Sequence, residues 1–226
     1  MTLWSVGWGQ QIGTDHVERG CNRQDAAWAA CFEGGAFGVV SDGCGEGSAS
    51  EVGALLSVRT AARALAELAP SVELAQLPQL VNAQVVQALE AVVQAVRPPE
   101  VEAFVAEVLC ATLLGFVVRG SEAVLFAYGD GLFVIDGVVE SISANNRPSY
   151  PAYALLGGQA DLHARLCSSP RNLAVASDGV DPRFFERIER LRGRLLTRHL
   201  VLAARQGQLT DDGAIAVAQL RAGADS

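Results

Sequence analysis

The sequence predicts one α+β domain in which mainly antiparallel sheet packs between two helical layers. Half of the 226 residues are hydrophobic, which is enough to bury a sizeable core. Apolar segments of strand length in the middle of the chain are separated only by Arg119-Gly120-Ser121-Glu122 and by Gly129-Asp130-Gly131. Because parallel neighbours need a crossover of about a dozen residues, these segments are predicted to be antiparallel neighbours. No repeat, low-complexity tract or linker interrupts the chain, so residues 1–226 are predicted to form a single domain.

Short apolar runs bounded by glycine, aspartate or serine predict the strands. The runs Leu162–Cys167 and Leu173–Ser177 are separated by a short polar segment and are predicted to pair with each other. In chain order, the predicted strands are Trp4–Gly9, Ala26–Phe32, Ala36–Val40, Thr112–Val118, Ala123–Tyr128, Leu132–Ile135, Leu162–Cys167, Leu173–Ser177 and Ala214–Leu220.

Three stretches with apolar residues at helical spacing predict the helices. The first follows Ser48-x-x-Glu51, a capping-box pattern, and ends near Ala69 because Pro70 follows. The second covers roughly Leu80–Val96 and ends before a pair of prolines. The third is predicted over Pro182–Ala204, with an apolar stripe on one face and most of its arginines on the other.

Charge and composition exclude several classes of protein. A formal net charge of -8 argues against nucleic acid as a partner, because phosphate backbones require clustered cations. All 17 basic residues are arginine, so a Walker-A phosphate loop, a protein-kinase site and a pyridoxal Schiff base, which need a lysine amine, are excluded. With only three histidines, a histidine-built metal site is not expected.

The five cysteines and the distribution of apolar residues predict where the protein resides. The cysteines are odd in number and form no C-x-x-C pair, which favours reduced thiols over a disulfide framework. None is followed by arginine six positions later, so cysteine-based phosphatase chemistry is excluded. No apolar run reaches the length of a membrane span and the N-terminus lacks the pattern of a signal peptide. We therefore expect a cytoplasmic protein without a membrane partner.

Aspartates recur at the ends of the predicted strands. Asp25 precedes one strand, Asp42 and Asp178 each end a strand just before glycine, and Asp211 precedes the last strand, while Asp130 lies in a Gly-Asp-Gly turn. Asp-Gly is also a common turn dipeptide, so each position alone is compatible with a simple turn. If the carboxylates converge, they repel one another and require cations between them. Ligands that are all oxygen select Mg²⁺ or Mn²⁺.

The order of the short motifs along the chain is more specific than any one of them. The motifs are Gly13-Thr14-Asp15-His16, Gln24-Asp25-Ala26, Val39-Val40-Ser41-Asp42-Gly43-Cys44-Gly45, Gly53-Ala54, Cys110-Ala111-Thr112-Leu113, Ala127-Tyr128-Gly129-Asp130-Gly131, Asn146-x-Pro148-x-Tyr150, Ala176-Ser177-Asp178-Gly179 and Asp211-Asp212. This series resembles the type-2C (metal-dependent, PPM-like) Ser/Thr protein phosphatases, in their compact bacterial branch. The resemblance implies a four-layer α-β-β-α sandwich of two mainly antiparallel sheets flanked by helices, with a reduced flap region at about residues 136–172.

The resemblance also implies a set of metal ligands. Asp42 would bridge two Mn²⁺ or Mg²⁺ ions, and the carbonyl of Gly43 would contact one of them. Asp178 and Asp211 would hold the first ion, and Asp25 would bind near the second. Asp130 matches the position of a weaker third ion. Asp212 replaces Asp211 if the register of the last motif is shifted by one residue.

The implied activity is hydrolysis of phosphoserine and phosphothreonine on proteins by water activated between the metal ions. The implied partners are a phosphoprotein substrate and a cognate Ser/Thr kinase or its target, with specificity supplied by a partner because the flap is short.

Two departures from the family pattern leave alternatives open. Cys44 stands where relatives carry a histidine after Asp-Gly, so His16 either substitutes as the proton donor or is only a local hydrogen-bonding residue. Substrate phosphate would be bound by Arg19 or Arg23, neither of which lies in a strong match. A catalytically silent relative that binds metal or phosphopeptide and regulates a kinase pathway is the rival hypothesis.

Overall fold

The computed structural model describes residues 4–143, 148–190 and 194–221. Within them, ten strands form two five-stranded sheets in which every neighbouring pair is antiparallel. The strands are β1 (Trp4–Gln11), β2 (Ala26–Phe32), β3 (Gly35–Ser41), β4 (Leu113–Arg119), β5 (Glu122–Tyr128), β6 (Gly131–Ile135), β7 (Val138–Ile142), β8 (Leu162–Ser168), β9 (Asn172–Ala176) and β10 (Gly213–Leu220). The first sheet has the order β1-β10-β9-β6-β7 and the second β2-β3-β4-β5-β8.

Helices cover the outer face of each sheet. The α-helices are α1 (Thr14–Arg19), α2 (Glu51–Leu68), α3 (Leu77–Val96), α4 (Val101–Phe104) and α5 (Arg194–Arg205). Shorter helical turns occupy Leu74–Gln76, Val105–Leu109, Pro151–Leu156 and Pro182–Arg190. The predicted four-layer α-β-β-α sandwich is therefore confirmed. None of the helices in the described part of the chain combines the length and apolarity needed to cross a lipid bilayer.

Three apolar layers hold the four structural layers together. Leu65 of α2 and Phe126 belong to the layer between the helices and the second sheet, and Leu200 of α5 and Ile215 belong to the layer against the first sheet. The layer between the sheets contains Phe116 and Phe133 and is otherwise rich in alanine, with Ala27, Ala29, Ala36, Ala123, Ala127, Ala214, Ala216 and Ala218. Fully burying each phenylalanine contributes roughly 2 kcal/mol. The small side chains let the two sheets approach closely around these rings.

The structure corrects two predicted strand pairings. β5 and β6 are joined by only two residues, Gly129 and Asp130, yet they belong to different sheets. Gly129 and Gly131 have φ values of +105° and +140°, which non-glycine residues rarely adopt, so the chain turns sharply from one sheet to the other. β8 and β9 also lie in different sheets, because β8 pairs with β5 while β9 pairs with β6 and β10.

Four local predictions also differ from the structure. The capping box is wrong, because α2 begins only at Glu51 and the Ser48 amide donates to the Glu107 carboxylate at 2.9 Å. The helix predicted over Pro182–Ala204 is described as two segments, Pro182–Arg190 and Arg194–Arg205, and residues 191–193 are not described. α1 and β7 were not predicted; each is short and polar or bounded by glycine.

Candidate active site

The second sheet places Asp25 beside Asp42. Ala26, at the start of β2, pairs with Ser41, at the end of β3, so the residues immediately outside these strands are neighbours. The turn after β3 is fixed by Thr112, whose backbone amide donates to the Asp42 carbonyl at 2.8 Å and whose hydroxyl oxygen accepts from the Asp42 amide at 3.0 Å. The Asp42 backbone is therefore anchored before its side chain enters the site.

The first sheet delivers three more aspartates. Ala176, the last residue of β9, pairs with β10 on one side and with β6 on the other. Asp178 follows β9, Asp211 lies just before β10, and Asp130 directly precedes β6. We call the side chains of Asp25, Asp42, Asp130, Asp178 and Asp211 the acidic group.

Contacts between carboxyl groups join the two sheets at this end of the sandwich. The Asp42 side chain is hydrogen bonded to Asp25 and to Asp178. A hydrogen bond between two carboxyl groups requires a shared proton, since ionised carboxylates only accept. The charge of Asp211 acts on Asp25, and that of Asp178 acts on Asp130. Asp25, Asp42 and Asp178 are therefore in contact, and Asp211 and Asp130 lie within electrostatic range of them.

The pKa values of three members of the acidic group, Asp25, Asp42 and Asp130, are raised by their surroundings. Burial raises the pKa of Asp25 from 3.8 to about 7, against the lowering effect of its hydrogen bonds with Asp42 and Ser177. Desolvation, followed by the charges of Asp25 and Asp178, holds the pKa of Asp42 well above its ordinary value. Desolvation and the Asp178 charge also raise the pKa of Asp130. A group of carboxyls with raised pKa values is electrostatically prepared for cations.

Ser177 fixes one oxygen of Asp25 and leaves the other free. Its hydroxyl donates to Asp25 Oδ2 at 2.6 Å and accepts from the Ala214 amide at 2.9 Å, so it connects β10 to the acidic group. Asp25 Oδ1 is buried and accepts from no amide or hydroxyl group among the described residues, and Asp42 can bond to Asp25 only when the two carboxyls share a proton. A buried carboxylate oxygen without a partner is costly, and a cation would satisfy it.

At two positions that directly follow an aspartate, neighbouring atoms approach the backbone so closely that only glycine fits. A Cβ on Gly43 would lie 2.7 Å from Ser50 Oγ and 3.0 Å from the Gln24 carbonyl oxygen. A Cβ on Gly179 would lie 2.1 Å from the Asp212 carbonyl oxygen. Both Asp-Gly pairs are therefore more than surface turns, because any larger residue would displace the neighbouring backbone.

Asp211 and Asp212 have different environments. The Asp211 side chain is 66% exposed, whereas that of Asp212 is 2% exposed. Both Asp212 oxygens are engaged: Oδ1 accepts from the Gly13 amide at 2.8 Å and Oδ2 from the Gln24 amide at 2.5 Å. Of the two aspartates, Asp211 has the carboxylate that is accessible from the site.

His16 lies against the same pair of aspartates. It is buried on α1, with Nδ1 at 2.9 Å from Asp212 Oδ2 and Nε2 at 3.8 Å from Asp211 Oδ1. Its ring is 3% exposed, so it is packed beneath the aspartates instead of facing solvent.

The two predicted arginines differ in their contact with the site. Arg23 Nε donates to the Asp25 carbonyl at 2.9 Å, and the residue is half-buried. Arg19 is exposed, and its Nε contacts the Asp15 carbonyl at 3.3 Å within its own helix. Of the two arginines, Arg23 is therefore the one that is hydrogen bonded to the backbone of an acidic-group residue, Asp25.

Tyr150 is a site residue to which the sequence argument gave no role. Its ring is 8% exposed and its hydroxyl is hydrogen bonded to the side chain of Cys44. Burial, this contact and the charges of Asp42 and Asp130 raise the pKa of Tyr150. The signal in the sequence was the motif ending in Pro148-x-Tyr150; its first member, Asn146, lies outside the described residues.

Comparison with known proteins gives one family and several structures. The family described as Protein phosphatase 2C matches residues 12–219. No curated protein sequence matches the chain.

Solved bacterial structures share the fold at low sequence identity. PppA, a key regulatory component of T6SS in Pseudomonas aeruginosa, is 20% identical with a TM-score of 0.68, covering 96% of this chain and 97% of that one. The serine/threonine phosphatase PstP/Ppp of Mycobacterium tuberculosis is 18% identical with a TM-score of 0.66, covering 97% and 99%. The catalytic domain of PstP in complex with two manganese ions is 17% identical with a TM-score of 0.63, covering 97% and 99%.

The match over 208 consecutive positions, 12 to 219, covers the second sheet, the first sheet apart from β1 and the last residue of β10, and every member of the acidic group. The chain belongs to the protein phosphatase 2C family.

Proposed function

We propose that the chain hydrolyses phosphoserine and phosphothreonine on proteins with the help of bound Mn²⁺ or Mg²⁺. The convergence of the acidic group from both sheets carries this proposal. Burial is the main cause of the raised pKa of Asp25, and the charges of Asp212 and Asp211 add to it, so the ionised carboxyl is costly here without a cation. Membership of the phosphatase family and the manganese bound by a structural neighbour support the same function.

The donor set fits hard divalent cations. All five side chains offer oxygen, the ligand atom that Mg²⁺ and Mn²⁺ prefer, and Asp25 Oδ1 is buried and accepts from no amide or hydroxyl group among the described residues. We assign Asp25, Asp42, Asp178 and Asp211, with the Gly43 carbonyl, to two cations, and Asp130 to a weaker third. Asp211 is preferred to Asp212, whose oxygens are taken by backbone amides. When bound, the cations would lower the pKa of water and neutralise phosphoryl oxygens.

The chain's own residues orient this site. Ser177 holds Asp25, and Thr112 holds the backbone of Asp42, so neither carboxylate has to be positioned when substrate binds. Arg23, attached to the Asp25 carbonyl, is the better candidate to meet substrate phosphate, because Arg19 is directed to its own helix. His16 is buried against Asp212, so we do not assign it proton transfer to the leaving group.

The natural substrate would be a phosphoprotein, with a cognate Ser/Thr kinase or its target as partner. The segment between β7 and β8 contains only one short helical turn, Pro151–Leu156, in its described part. With so small a covering segment, specificity would come from the partner surface.

One observation favours a second candidate function. Cys44 occupies the position after Asp42-Gly43 and contacts Tyr150, so no histidine is available there. A silent relative that binds metal or phosphopeptide would tolerate this change.

Hydrolysis of p-nitrophenyl phosphate and of a phosphothreonine peptide, titrated with Mn²⁺, tests the proposal. We expect Mn²⁺-dependent turnover in the wild type and its loss in Asp42→Asn, with the far-UV spectrum unchanged. Asp136→Asn is the matched control, because Asp136 is exposed in the β6–β7 turn and outside the acidic group. Metal binding without turnover in the wild type would favour the silent module, and wild-type turnover in Asp42→Asn would remove Asp42 from the site.

A further inference from the structure

A buried hydrogen-bond network surrounds Asp212, beneath the acidic group. Asp212 Oδ1 accepts from the Gly13 amide at 2.8 Å, and Oδ2 accepts from the Gln24 amide. His16 Nδ1 lies 2.9 Å from the same Oδ2, a close charge contact that does not have hydrogen-bond geometry. Gln24, His16 and Asp212 are each at most 5% exposed. We call these three residues the Asp212 network.

The Asp212 network links three segments that carry members of the acidic group. Asp212 is adjacent to Asp211, and its backbone amide donates to Asp211 Oδ1 at 2.8 Å. Gln24 directly precedes Asp25. The Gln24 side chain also reaches the loop after Asp42, where Nε2 donates to the Gly47 carbonyl at 3.0 Å. One buried group of hydrogen bonds thus connects the segments of the chain that carry Asp211, Asp25 and Asp42.

The network does not bind a cation of its own. Ligand atoms of His16, Asp211 and Asp212 lie within 4.8 Å of one another, which is close enough for a small metal site. Asp212, however, is only 2% exposed and each of its oxygens already accepts from a backbone amide, whereas the Asp211 side chain is 66% exposed. The three side chains are better suited to holding Asp211 in place than to coordinating an ion.

We propose that His16, Gln24 and Asp212 are positioning residues that set the affinity of the site for divalent cations; this rests on the proposed function. Carboxylates repel one another before cations bind, so they separate unless the backbone that carries them is held. Loss of groups that orient metal ligands commonly costs 10–100-fold in metal affinity. Removing a member of the network also leaves buried groups unpaired and lowers stability, so the positioning role is measured as the cation affinity of variants that remain folded.

The test measures Mn²⁺ dissociation constants of the full chain by electron paramagnetic resonance of free Mn²⁺ at a temperature well below unfolding. Gln24→Leu removes the bond to Gly47 but keeps the volume and the backbone amide, and Asp212→Asn removes one acceptor of the network. Asp136→Asn is the control, because Asp136 Oδ1 likewise accepts from two backbone amides, those of Arg171 at 2.8 Å and Asn172 at 2.7 Å, outside the acidic group.

We expect the dissociation constant to rise about tenfold or more in Gln24→Leu and Asp212→Asn, and to change less than about twofold in the control. The Mn²⁺ concentration for half-maximal turnover should rise by the same factor. Wild-type Mn²⁺ affinity in either variant, with a folded far-UV spectrum, overturns the positioning role and leaves the proposed function standing. Should Asp212→Asn fail to fold, Gln24→Leu decides alone. A wild type that binds no Mn²⁺ overturns both proposals.

Discussion

The buried carboxyl of Asp25 makes the stability of the metal-free protein depend on pH. Its pKa is about 7 in the folded chain, compared with an ordinary value of 3.8. The unfolded chain therefore ionises this group first, and folding is opposed as the pH rises from 3.8 towards about 7. The contribution of Asp25 to stability is fully present when the pH is below its pKa in the unfolded chain, and it is lost as the pH rises through its pKa in the folded chain. An aspartate in a salt bridge shows the opposite pH dependence. Asp42, whose pKa is also raised, acts in the same direction.

The size of the effect follows from the two pKa values. Since one pKa unit corresponds to about 1.4 kcal/mol, raising the pH from about 5.5 to about 8 should cost about 2 kcal/mol at Asp25. For a chain of this length, that loss lowers Tm by about 4–8 °C. Asp25→Asn keeps the shape of the protonated carboxyl and carries no charge, so it should lose most of this pH dependence.

Thermal unfolding followed by far-UV circular dichroism in EDTA, at both pH values, tests the prediction on wild type and Asp25→Asn. We expect Tm to fall more steeply with pH in the wild type, and added Mn²⁺ to raise it more at the higher pH. Identical pH dependence in the two proteins would refute the assignment of a raised pKa to Asp25.

Three further outcomes follow from contacts of the site. Gly43→Ala should cost about 1–3 kcal/mol of stability and weaken Mn²⁺ binding, because its Cβ would lie 2.7 Å from Ser50 Oγ. Gly45→Ala is the control: its Cβ meets nothing within 4 Å, so stability and Mn²⁺ binding should both be unchanged. Denaturant unfolding and a Mn²⁺ titration check the two variants. Ser177→Ala should destabilise the chain by about 1–3 kcal/mol, because it leaves buried groups unpaired, and an unchanged unfolding midpoint would contradict this. Arg23→Ala should raise KM for a phosphothreonine peptide about tenfold in steady-state kinetics, because Arg23 is the candidate for binding substrate phosphate. Arg19→Ala is the control, and equal effects of the two variants would exclude a phosphate-binding role that is specific to Arg23.

The fold class and the convergence of the acidic group could be predicted because they depend on local patterns. Each aspartate lies where an apolar run ends, and the end of a strand is visible in sequence. Whether β5 and β6 pair with each other depends on the backbone conformations of Gly129 and Gly131. The short connection between these two strands suggested a hairpin. The sequence offers no measure of φ, so the passage from one sheet to the other could not be read from spacing.

The choice between Asp211 and Asp212 could not be made from sequence either. Two identical residues side by side differ only in what surrounds them, and the amides that engage Asp212 come from Gly13 and Gln24, about 190 residues or more away. Tyr150 reaches Cys44 in the same way, through a contact distant in sequence. Such partners are set by packing, which no local pattern encodes.

The alanine-lined interface between the sheets has a consequence for how the protein would lose activity. The two sheets are held face to face there by apolar packing, with alanines around Phe116 and Phe133, and not by the hydrogen bonds that join strands within each sheet. Asp42 and Asp178 belong to opposite sheets, and a misplacement of about 1 Å in a reacting geometry costs on the order of a hundredfold in rate. Cations bound by both of these side chains would link the two sheets to each other. Heat or pressure that displaces one sheet relative to the other should therefore abolish the proposed hydrolysis while the strand pairing within each sheet is still intact.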